Sequence, residues 1–270
     1  TTQIRGTAGN GVFGEATVSV TAPPAPVLNL ATSQNISGVS RTPTLALQVP
    51  ADHKVIGCGA RLSFDVDEPG LYFTALYPSD ARTCTATARD HIAFTDGTVE
   101  VWAIAVIDPR NEWEVVMVNQ PQTGNTATAV LPPGYALTGG GARVTFSGAG
   151  VMLSASQPSG SAWVVRSRSH IQADTTATTT SYVIGIRPRN GAAAPATIVT
   201  FAQSNASEVE VFPVSGYTIV GGGASIAWNG PGRLLTAMYP DQAARWLAQG
   251  KEHLQPDQGA ITAYVIGIRQ

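Results

Sequence analysis

Lysine, charge and long apolar runs are all scarce in this sequence. Charged residues make up 13% of the 270 positions, and the net charge is −2 at pH 7; this is about half the charged share of an average soluble domain. The balance argues against nucleic acid as a partner, since proteins that bind it carry a basic patch. The longest apolar stretches, such as residues 101–107, are too short to cross a bilayer, so no membrane span is expected.

Motifs of the common enzyme classes are also missing. The chain has no Gly-x-Ser-x-Gly elbow, no His-Glu-x-x-His motif and no phosphate loop. Residues 139–141 are three glycines, but no helical pattern follows them, so they do not indicate a dinucleotide site. We expect no cofactor and no metal, and the sequence favours a protein without catalysis. A polysaccharide hydrolase stays an alternative, because Asp65, Asp67 and Glu68 could supply paired carboxylates.

What the sequence does contain is an internal repeat, which is its strongest signal. Residues 57–61 (Gly-Cys-Gly-Ala-Arg) recur 82 positions later at 139–143 (Gly-Gly-Gly-Ala-Arg), and 82 positions later again at 221–225 (Gly-Gly-Gly-Ala-Ser). Three more blocks follow in the same order each time, at 74–78, 154–158 and 236–240, at 89–91, 168–170 and 251–253, and at 102–106, 182–186 and 264–268. We therefore divide the chain into repeat 1 (27–108), repeat 2 (109–190) and repeat 3 (191–270).

Short strands separated by turns are predicted within each repeat. Ala142, Val144 and Phe146 alternate with polar residues, as in a strand with one buried face. Residues 182–186 are apolar on both faces, as in an inner strand. Four to six strands per repeat predict an all-β protein. Because one repeat cannot cover its own apolar face, we expect a single domain over 27–270 that closes with pseudo-threefold symmetry, as a β-prism or, alternatively, an enlarged β-trefoil.

Two segments depart from this pattern. Residues 241–253 have good helix propensity and an Asp N-cap, but their counterparts are rich in Thr, Val and Ser, so we expect a strand. Residues 1–26 lie outside the repeats, and alternation at Ala16, Val18 and Val20 predicts one extra strand before a stiff Pro-rich linker. That strand either pairs with its own domain or is donated, through residues 1–22, to a neighbouring subunit in a fibre.

The two cysteines can be placed by comparing the repeats. Cys58 stands where the other repeats have the middle glycine of their triplet, and Cys84 stands where they have Trp163 and Trp246. A tryptophan ring lying over that glycine would need a residue without a side chain beneath it. A disulfide between Cys58 and Cys84 would replace this contact in repeat 1. Such a bond implies an oxidising compartment, so we expect an extracellular or cell-surface protein.

Three of the four histidines occupy one position of the repeat and are the main candidates for ligand chemistry. Each follows a cation by two positions, so a strand would place both on one face. Each also precedes an aspartate that could orient the imidazole ring. The tyrosines of the Tyr-Pro block could add an aromatic platform, whereas repeat 2 has Gln157 there. The candidate ligand-binding residues are Arg89, His91, Asp96 and Tyr77 in repeat 1, Arg168, His170 and Asp174 in repeat 2, and Lys251, His253, Asp257 and Tyr239 in repeat 3.

These residues have three interpretations. Each histidine could end a strand and hold a loop together, or it could line a carbohydrate pocket in its repeat. Alternatively, the three could converge on the symmetry axis as a metal site with three histidine ligands. The neighbouring cations Arg89, Arg168 and Lys251 argue against the metal site, because they would repel an ion.

Each repeat also resembles that of the vitelline membrane outer layer protein family. There, a turn of the Cys-Pro-x-Gly-Tyr type leads into a core strand, and an Asp- and Thr-rich stretch leads into an apolar strand. The matching pieces are 131–135 (Leu-Pro-Pro-Gly-Tyr) and 174–175 before 182–186 in repeat 2, and 215–217 (Ser-Gly-Tyr) and Asp257 before 264–268 in repeat 3. The family's multiple disulfides are missing. The resemblance implies three Greek-key sheets around an axis and a carbohydrate-related or surface-layer role, with no catalytic residues.

The repeat blocks also resemble those of secreted bacterial proteins of unassigned function. From these features we expect a secreted, non-catalytic glycan-binding module, whose three weak sites gain avidity on a polymeric target. One alternative is a structural subunit of an extracellular filament or surface layer that assembles through its N-terminal strand. The other is the polysaccharide-active hydrolase.

Overall fold

The computed structural model describes residues 2–7, 13–18, 23–91, 93–148, 150–169, 177–227, 232–253 and 259–269. This part of the chain folds into twenty β-strands and contains no helix, which confirms the all-β prediction. It accordingly has no helix of the length and apolarity that a membrane crossing needs.

The first two strands form a hairpin of their own. β1 (Thr2–Thr7) pairs antiparallel with β2 (Phe13–Val18) in a two-stranded sheet. The predicted N-terminal strand corresponds to β2, whereas its partner β1 was not predicted.

Each repeat supplies six strands. Repeat 1 contains β3 (Leu30–Ile36), β4 (Thr44–Gln48), β5 (His53–Phe64), β6 (Leu71–Asp80), β7 (Thr83–Asp90) and β8 (Gly97–Ile107). Repeat 2 contains β9 (Trp113–Thr123), β10 (Thr126–Val130), β11 (Ala136–Thr145), β12 (Val151–Ser159), β13 (Ala162–Ser169) and β14 (Thr178–Pro188). Repeat 3 contains β15 (Thr197–Ser204), β16 (Glu208–Val211), β17 (Thr218–Ile226), β18 (Arg233–Pro240), β19 (Trp246–Glu252) and β20 (Ile261–Ile268).

These strands form three antiparallel sheets of six strands, and every sheet is shared between two repeats. The strand orders are β4-β7-β6-β11-β14-β9, β10-β13-β12-β17-β20-β15 and β16-β19-β18-β5-β8-β3. Each sheet consists of two halves. One half is the second, fifth and fourth strands of one repeat, and the other half is the third, sixth and first strands of another. This arrangement is consistent with the predicted pseudo-threefold closure. The described strands close no barrel, so the alternative of a β-trefoil, which is built on one, was wrong.

Three local predictions are confirmed. The side chains of β11 alternate between buried and exposed from Ala142 to Thr145, and β14 lies inside its sheet between β11 and β9. Within the predicted strand 241–253, residues 246–252 form β19 in spite of their helix propensity, and residues 241–245 form a turn before it. The strand is stabilised by tertiary packing, because it places the fully buried ring of Trp246 in the core.

The first glycine of each triplet brings the backbones of the three repeats together. A Cβ atom at each of these positions would collide with a backbone carbonyl group of another repeat: Gly57 with Val220, Gly221 with Thr138, and Gly139 with Ile56. Each of these carbonyl groups belongs to the residue just before the first glycine of its own repeat. Repeat 1 therefore contacts repeat 3, repeat 3 contacts repeat 2, and repeat 2 contacts repeat 1, which makes a closed ring. Side chains are excluded from this ring because the obstructing atoms belong to the backbone.

The second position of the triplet joins neighbouring sheets. In repeats 2 and 3 the glycine lies directly beneath the buried indole of Trp163 or Trp246. In repeat 1, Cys58 and Cys84 form the predicted disulfide, with their Cα atoms 5.7 Å apart. Because the two contacting strands belong to different sheets in every case, each repeat connects one pair of sheets. The disulfide is consistent with an extracellular protein.

Replacing Gly221 with alanine is expected to lower the free energy of unfolding by about 2–4 kcal/mol, because the new methyl group meets packed backbone. Gly38→Ala is the matched control, since a Cβ atom there meets nothing within 4 Å and should change stability by less than about 0.5 kcal/mol. Urea unfolding followed by tryptophan fluorescence measures both variants. Equal stability of the two would contradict the ring of glycine contacts.

The residue opposite Cys84 gives a test of whether the disulfide replaces a tryptophan–glycine contact. Leu47 pairs with Cys84, whereas the smaller Ala129 pairs with Trp163. We expect Cys58→Ala/Cys84→Ala to lower the free energy of unfolding by about 3–4 kcal/mol. Leu47→Ala/Cys58→Gly/Cys84→Trp should recover most of this loss by refilling the space. Urea unfolding compares the variants, and a triple variant no more stable than the double one would refute the equivalence.

Candidate functional site

The predicted site residues fall into two separate places rather than one pocket per repeat. Along β18, Tyr239 lies six positions from Arg233, and Arg233 pairs with Glu252, which precedes His253. Six positions of extended strand span roughly 20 Å. The same register holds in repeat 1, so the predicted tyrosines lie at one end of their strands and the histidines at the other.

The first place is a groove between repeats 1 and 3, which we call the aromatic groove. Trp102 in β8 and Tyr239 in β18 stack with ring centroids 4.5 Å apart, in a cluster separate from the main core. The guanidinium of Arg61 lies 5.4 Å from the ring centroid of Tyr239 and 5.8 Å from that of Trp102. Trp102 and Tyr239 are each only 7% exposed, whereas the side chain of Arg61 is 40% exposed, so a ligand would meet Arg61 first.

Polar groups surround this aromatic pair. Gln34 accepts a hydrogen bond from the Nε1 group of Trp102 at 2.8 Å, and Arg61 forms an ion pair with Glu100 at 2.7 Å. Burial opposes the charge of Arg61, but the hydrogen bond and charge of Glu100 contribute to a net rise in the pKa of this guanidinium. Together with Asp241, these groups line an open groove of about 520 Å³.

A similar group of two aromatic rings and one arginine lies between repeats 1 and 2. Tyr77 in β6 and Tyr182 in β14 have ring centroids 4.8 Å apart, and the guanidinium of Arg143 lies 5.8 Å from the ring of Tyr77. Burial raises the pKa of Tyr182 above its ordinary value. The third sheet has Gln157, Tyr264 and Ser225 at the corresponding positions. Its equivalent site therefore has neither the arginine nor the tyrosine pair.

The second place, which we call the histidine end, is where His91 and His253 lie. Their ring centroids are 5.4 Å apart, with the ring planes at 70°. His253 also makes an edge contact with Tyr72, with ring centroids 5.5 Å apart. Tyr72 belongs with Met152 and Leu234 to a fully buried cluster, to which each repeat contributes one residue. The structure thus brings two of the predicted histidines together where the three repeats meet.

The cations that precede these histidines, Arg89 and Lys251, lie inside strands, whereas the histidines do not. β7 ends at Asp90 and β19 ends at Glu252, so each histidine lies beyond its strand and the alternation of strand side chains does not extend to it. The Nε group of Arg89 donates to the carbonyl oxygen of Asp90 at 3.0 Å. The Nζ group of Lys251 donates to the carbonyl oxygen of Val66 at 2.7 Å.

An open groove of about 820 Å³ lies beside the histidine end, between repeats 1 and 3. Lys251, His253 and Phe64 are among its lining residues, and the Nζ group of Lys251 lies 5.4 Å from the ring centroid of Phe64. Glu252, which also lines the groove, is paired with Arg233 at 3.3 Å. The predicted ligand-binding residues of repeat 3 are therefore divided between this groove and the aromatic groove.

The remaining predicted residues add no further site. Asp96 and Arg168 are exposed. His170, Asp174 and Asp257 lie outside the described residues. Within the part of the chain that is described, no group of three or more His, Cys, Asp or Glu side chains is placed to hold a metal ion.

Trp102 and Arg61 were not predicted as site residues, although the repeat carries a signal for both. The first residue of the block at 102–106 is aromatic in all three repeats, and the arginine that ends the block at 57–61 is present in two. An aromatic residue and an arginine that both recur indicate a surface that the repeats have in common. Their pairing with Tyr239 depends on strand exchange between repeats, which a linear pattern does not reveal.

Comparison with known proteins adds no assignment. No protein-family model matches the chain, and no curated protein matches it. The resemblance to the vitelline membrane outer layer proteins therefore stays a prediction.

Proposed function

We propose that this protein is a secreted, non-catalytic glycan-binding module that binds through its aromatic groove and through the related Tyr77–Tyr182–Arg143 group. One observation supports this function above others: a stacked aromatic pair, an arginine–glutamate pair and an amide line a single groove. Sugars carry hydroxyl groups around an apolar ring. They therefore suit sites that combine aromatic side chains with a few planar hydrogen-bonding groups.

Two related groups of aromatic and arginine side chains on one domain suit a polymeric target. The Tyr77–Tyr182–Arg143 group repeats the aromatic pair and the arginine on a second sheet. Weak sites held at a fixed spacing gain avidity when the ligand itself repeats. Because the third sheet has a serine and a glutamine at two of these positions, we expect two effective sites rather than three.

The same proposal includes a β-prism fold and an extracellular or cell-surface location. Three six-stranded antiparallel sheets shared among three repeats are the layout expected of a β-prism, which is also what the sequence resemblance implies. The disulfide supports export, because such bonds persist in oxidising compartments.

A glycan and polysaccharide array tests this function. Wild-type protein is compared with Arg61→Ala, Arg143→Ala and the double variant. Arg110→Ala is the control, because Arg110 is 77% exposed and is not among the residues that line the aromatic groove. Loss of one charge-assisted hydrogen bond should weaken binding about tenfold. The double variant should lose more than the two single effects combined, because avidity is lost as well.

Circular dichroism and thermal melting check that the variants are folded. Binding that survives in the double arginine variant but is lost in Lys251→Ala would move the site to the groove beside the histidine end. That result would contradict a role for the aromatic groove and for the Tyr77–Tyr182–Arg143 group. A wild-type protein that binds no glycan on the array would overturn the proposed function.

A second candidate function, a structural subunit of an extracellular filament, is favoured by the edge strand β15. It has no charged residue and no proline, and Ile198, Val199 and Phe201 are 36%, 39% and 68% exposed. Long uncharged edge strands are templates for pairing with another chain. The edge strand β16, by contrast, carries two glutamates, and the edge strands β4 and β10 have only five residues each.

The N-terminal hairpin of a second copy is the occupant that we propose for this edge. An isolated two-stranded hairpin is only marginally stable in water, and among the described strands β1 and β2 pair only with each other. Addition to β15 would give the hairpin a third strand and cover the exposed ring of Phe201. Because the donor and acceptor surfaces differ, the contact is head-to-tail and can continue into a filament.

Sedimentation of two complementary variants tests this assembly. Wild-type protein should increase in mass with concentration, whereas a deletion of residues 1–22 and the variant Val199→Lys/Phe201→Lys should each be monomeric. Their equimolar mixture should form a one-to-one complex, since one variant retains the edge and the other retains the hairpin. Monomeric wild-type protein at high concentration, or a mixture that does not associate, would rule out this interface.

A further inference from the structure

A third groove, which we call the arginine groove, lies at the end of β14 and has no part in the aromatic groove or the histidine end. Glu114, Arg187 and Arg189 line it together with Gly134 and the small residues of the loop at 191–194, and its volume is about 640 Å³. A volume of this size is within the range of small-molecule sites. Both arginines therefore belong to a concave surface.

The two arginines lie on the same side of the chain. Arg187 pairs with Glu114 in the ladder between β14 and β9, and the backbone N–H group of Arg189 continues this ladder with a bond of 2.8 Å to the carbonyl oxygen of Glu112. Residues two apart on such an extended segment share a face. Pro188 between them is buried, so it occupies the core side and both guanidinium groups are on the solvent side.

Glu114 holds Arg187 in place without using all of its donors. The Nε and Nη2 groups of Arg187 both face Oε2 of Glu114, at 2.9 and 2.8 Å, and the hydroxyl of Tyr135 donates to Oε1 at 2.8 Å. The guanidinium also lies 4.3 Å from the ring centroid of Tyr135. Glu114 thus engages one edge of Arg187. Among the described residues no acceptor is bonded to Nη1, which is available to a ligand.

The balance of charge in the arginine groove is opposite to that of the other two grooves. Two arginines and one glutamate line it, whereas carboxylates outnumber the arginine and lysine residues in the aromatic groove and in the groove beside the histidine end. The hydrogen bonds from Tyr135 and Arg187 hold the pKa of Glu114 below its ordinary value, and the charges of Arg187 and Arg189 add to this effect. The charge of Arg189 therefore acts inside the groove.

We propose that the arginine groove binds the carboxylate group of an acidic sugar unit of the uronic acid type. Arg187 and Arg189 are the binding residues, and Glu114 and Tyr135 position Arg187. Guanidinium groups recognise carboxylates through paired, charge-assisted hydrogen bonds, and the small side chains at 191–194 leave room for a sugar ring beside them. This inference rests on the proposed function: the charge of the groove selects an organic anion, and glycan binding makes that anion a sugar acid.

Calorimetric titration with trigalacturonic acid and with its trimethyl ester tests this site, because the ester has the same rings without the charge. Wild-type protein should bind the acid about tenfold more tightly than the ester. Arg189→Gln should remove most of this preference, and the variant should fold normally because Arg189 is exposed. Arg166→Gln is the matched control, since Arg166 is an exposed arginine of β13 that is not among the residues lining the three grooves.

Two further measurements separate recognition by the groove from attraction by net charge. Glu114→Gln keeps an oxygen acceptor for Arg187 but removes the negative charge that opposes the ligand, so binding of the acid should strengthen about threefold. Loss of a merely structural contact would not strengthen binding. Sodium sulfate should bind more weakly than the acid, because it has no sugar ring to fill the groove.

Four outcomes would overturn this site: equal binding of the acid and the ester, unchanged binding of the acid in Arg189→Gln, an equal loss in Arg166→Gln, or sulfate that binds as tightly as the acid. These outcomes leave the proposed function standing, because that function is tested through Arg61 and Arg143. Conversely, binding of the acid that depends on Arg189, together with binding of neutral glycans that does not depend on Arg61 and Arg143, would support this site and contradict the role of the aromatic groove.

Discussion

Contact between backbones at three glycines is the constraint on which the rest of the molecule depends. Gly57, Gly139 and Gly221 each meet a carbonyl group of another repeat, so their strands approach more closely than side chains would allow. That approach determines the spacing of the three sheets and therefore the space left between them. The indoles of Trp163 and Trp246 fill this space in two repeats, and the disulfide fills it in the third.

Sharing of each sheet between two repeats explains where the candidate sites lie. Strands from two repeats meet along the middle of every sheet, and residues on the outer face come together across that line. Trp102 and Arg61 of repeat 1 thus contact Tyr239 of repeat 3. The aromatic groove is consequently a property of the junction between repeats, and no single repeat contains all of it.

Comparison among the repeats could predict contacts within a repeat, but not contacts between repeats. The bond between Cys58 and Cys84 was predictable because the other repeats show what the cysteines replace, and the strands were predictable from alternating apolar residues. Strand exchange was not predictable, since one pattern can pair equally well inside its own repeat or with another. Alternation could not predict a common face for Arg89 and His91. Alternation directs side chains only inside a strand, and β7 ends at Asp90.

The sheet that carries the aromatic groove has consequences for how the molecule folds. In this sheet β5, from the first repeat, pairs with β18, from the last, and Ala60 lies opposite Met238. During synthesis one half of the sheet is made first and the other half is made last. The groove can therefore be completed only after the final repeat has been produced, and pairing between such distant segments slows folding. Until then β5 presents an open edge, which makes the nascent chain vulnerable to pairing with the wrong partner.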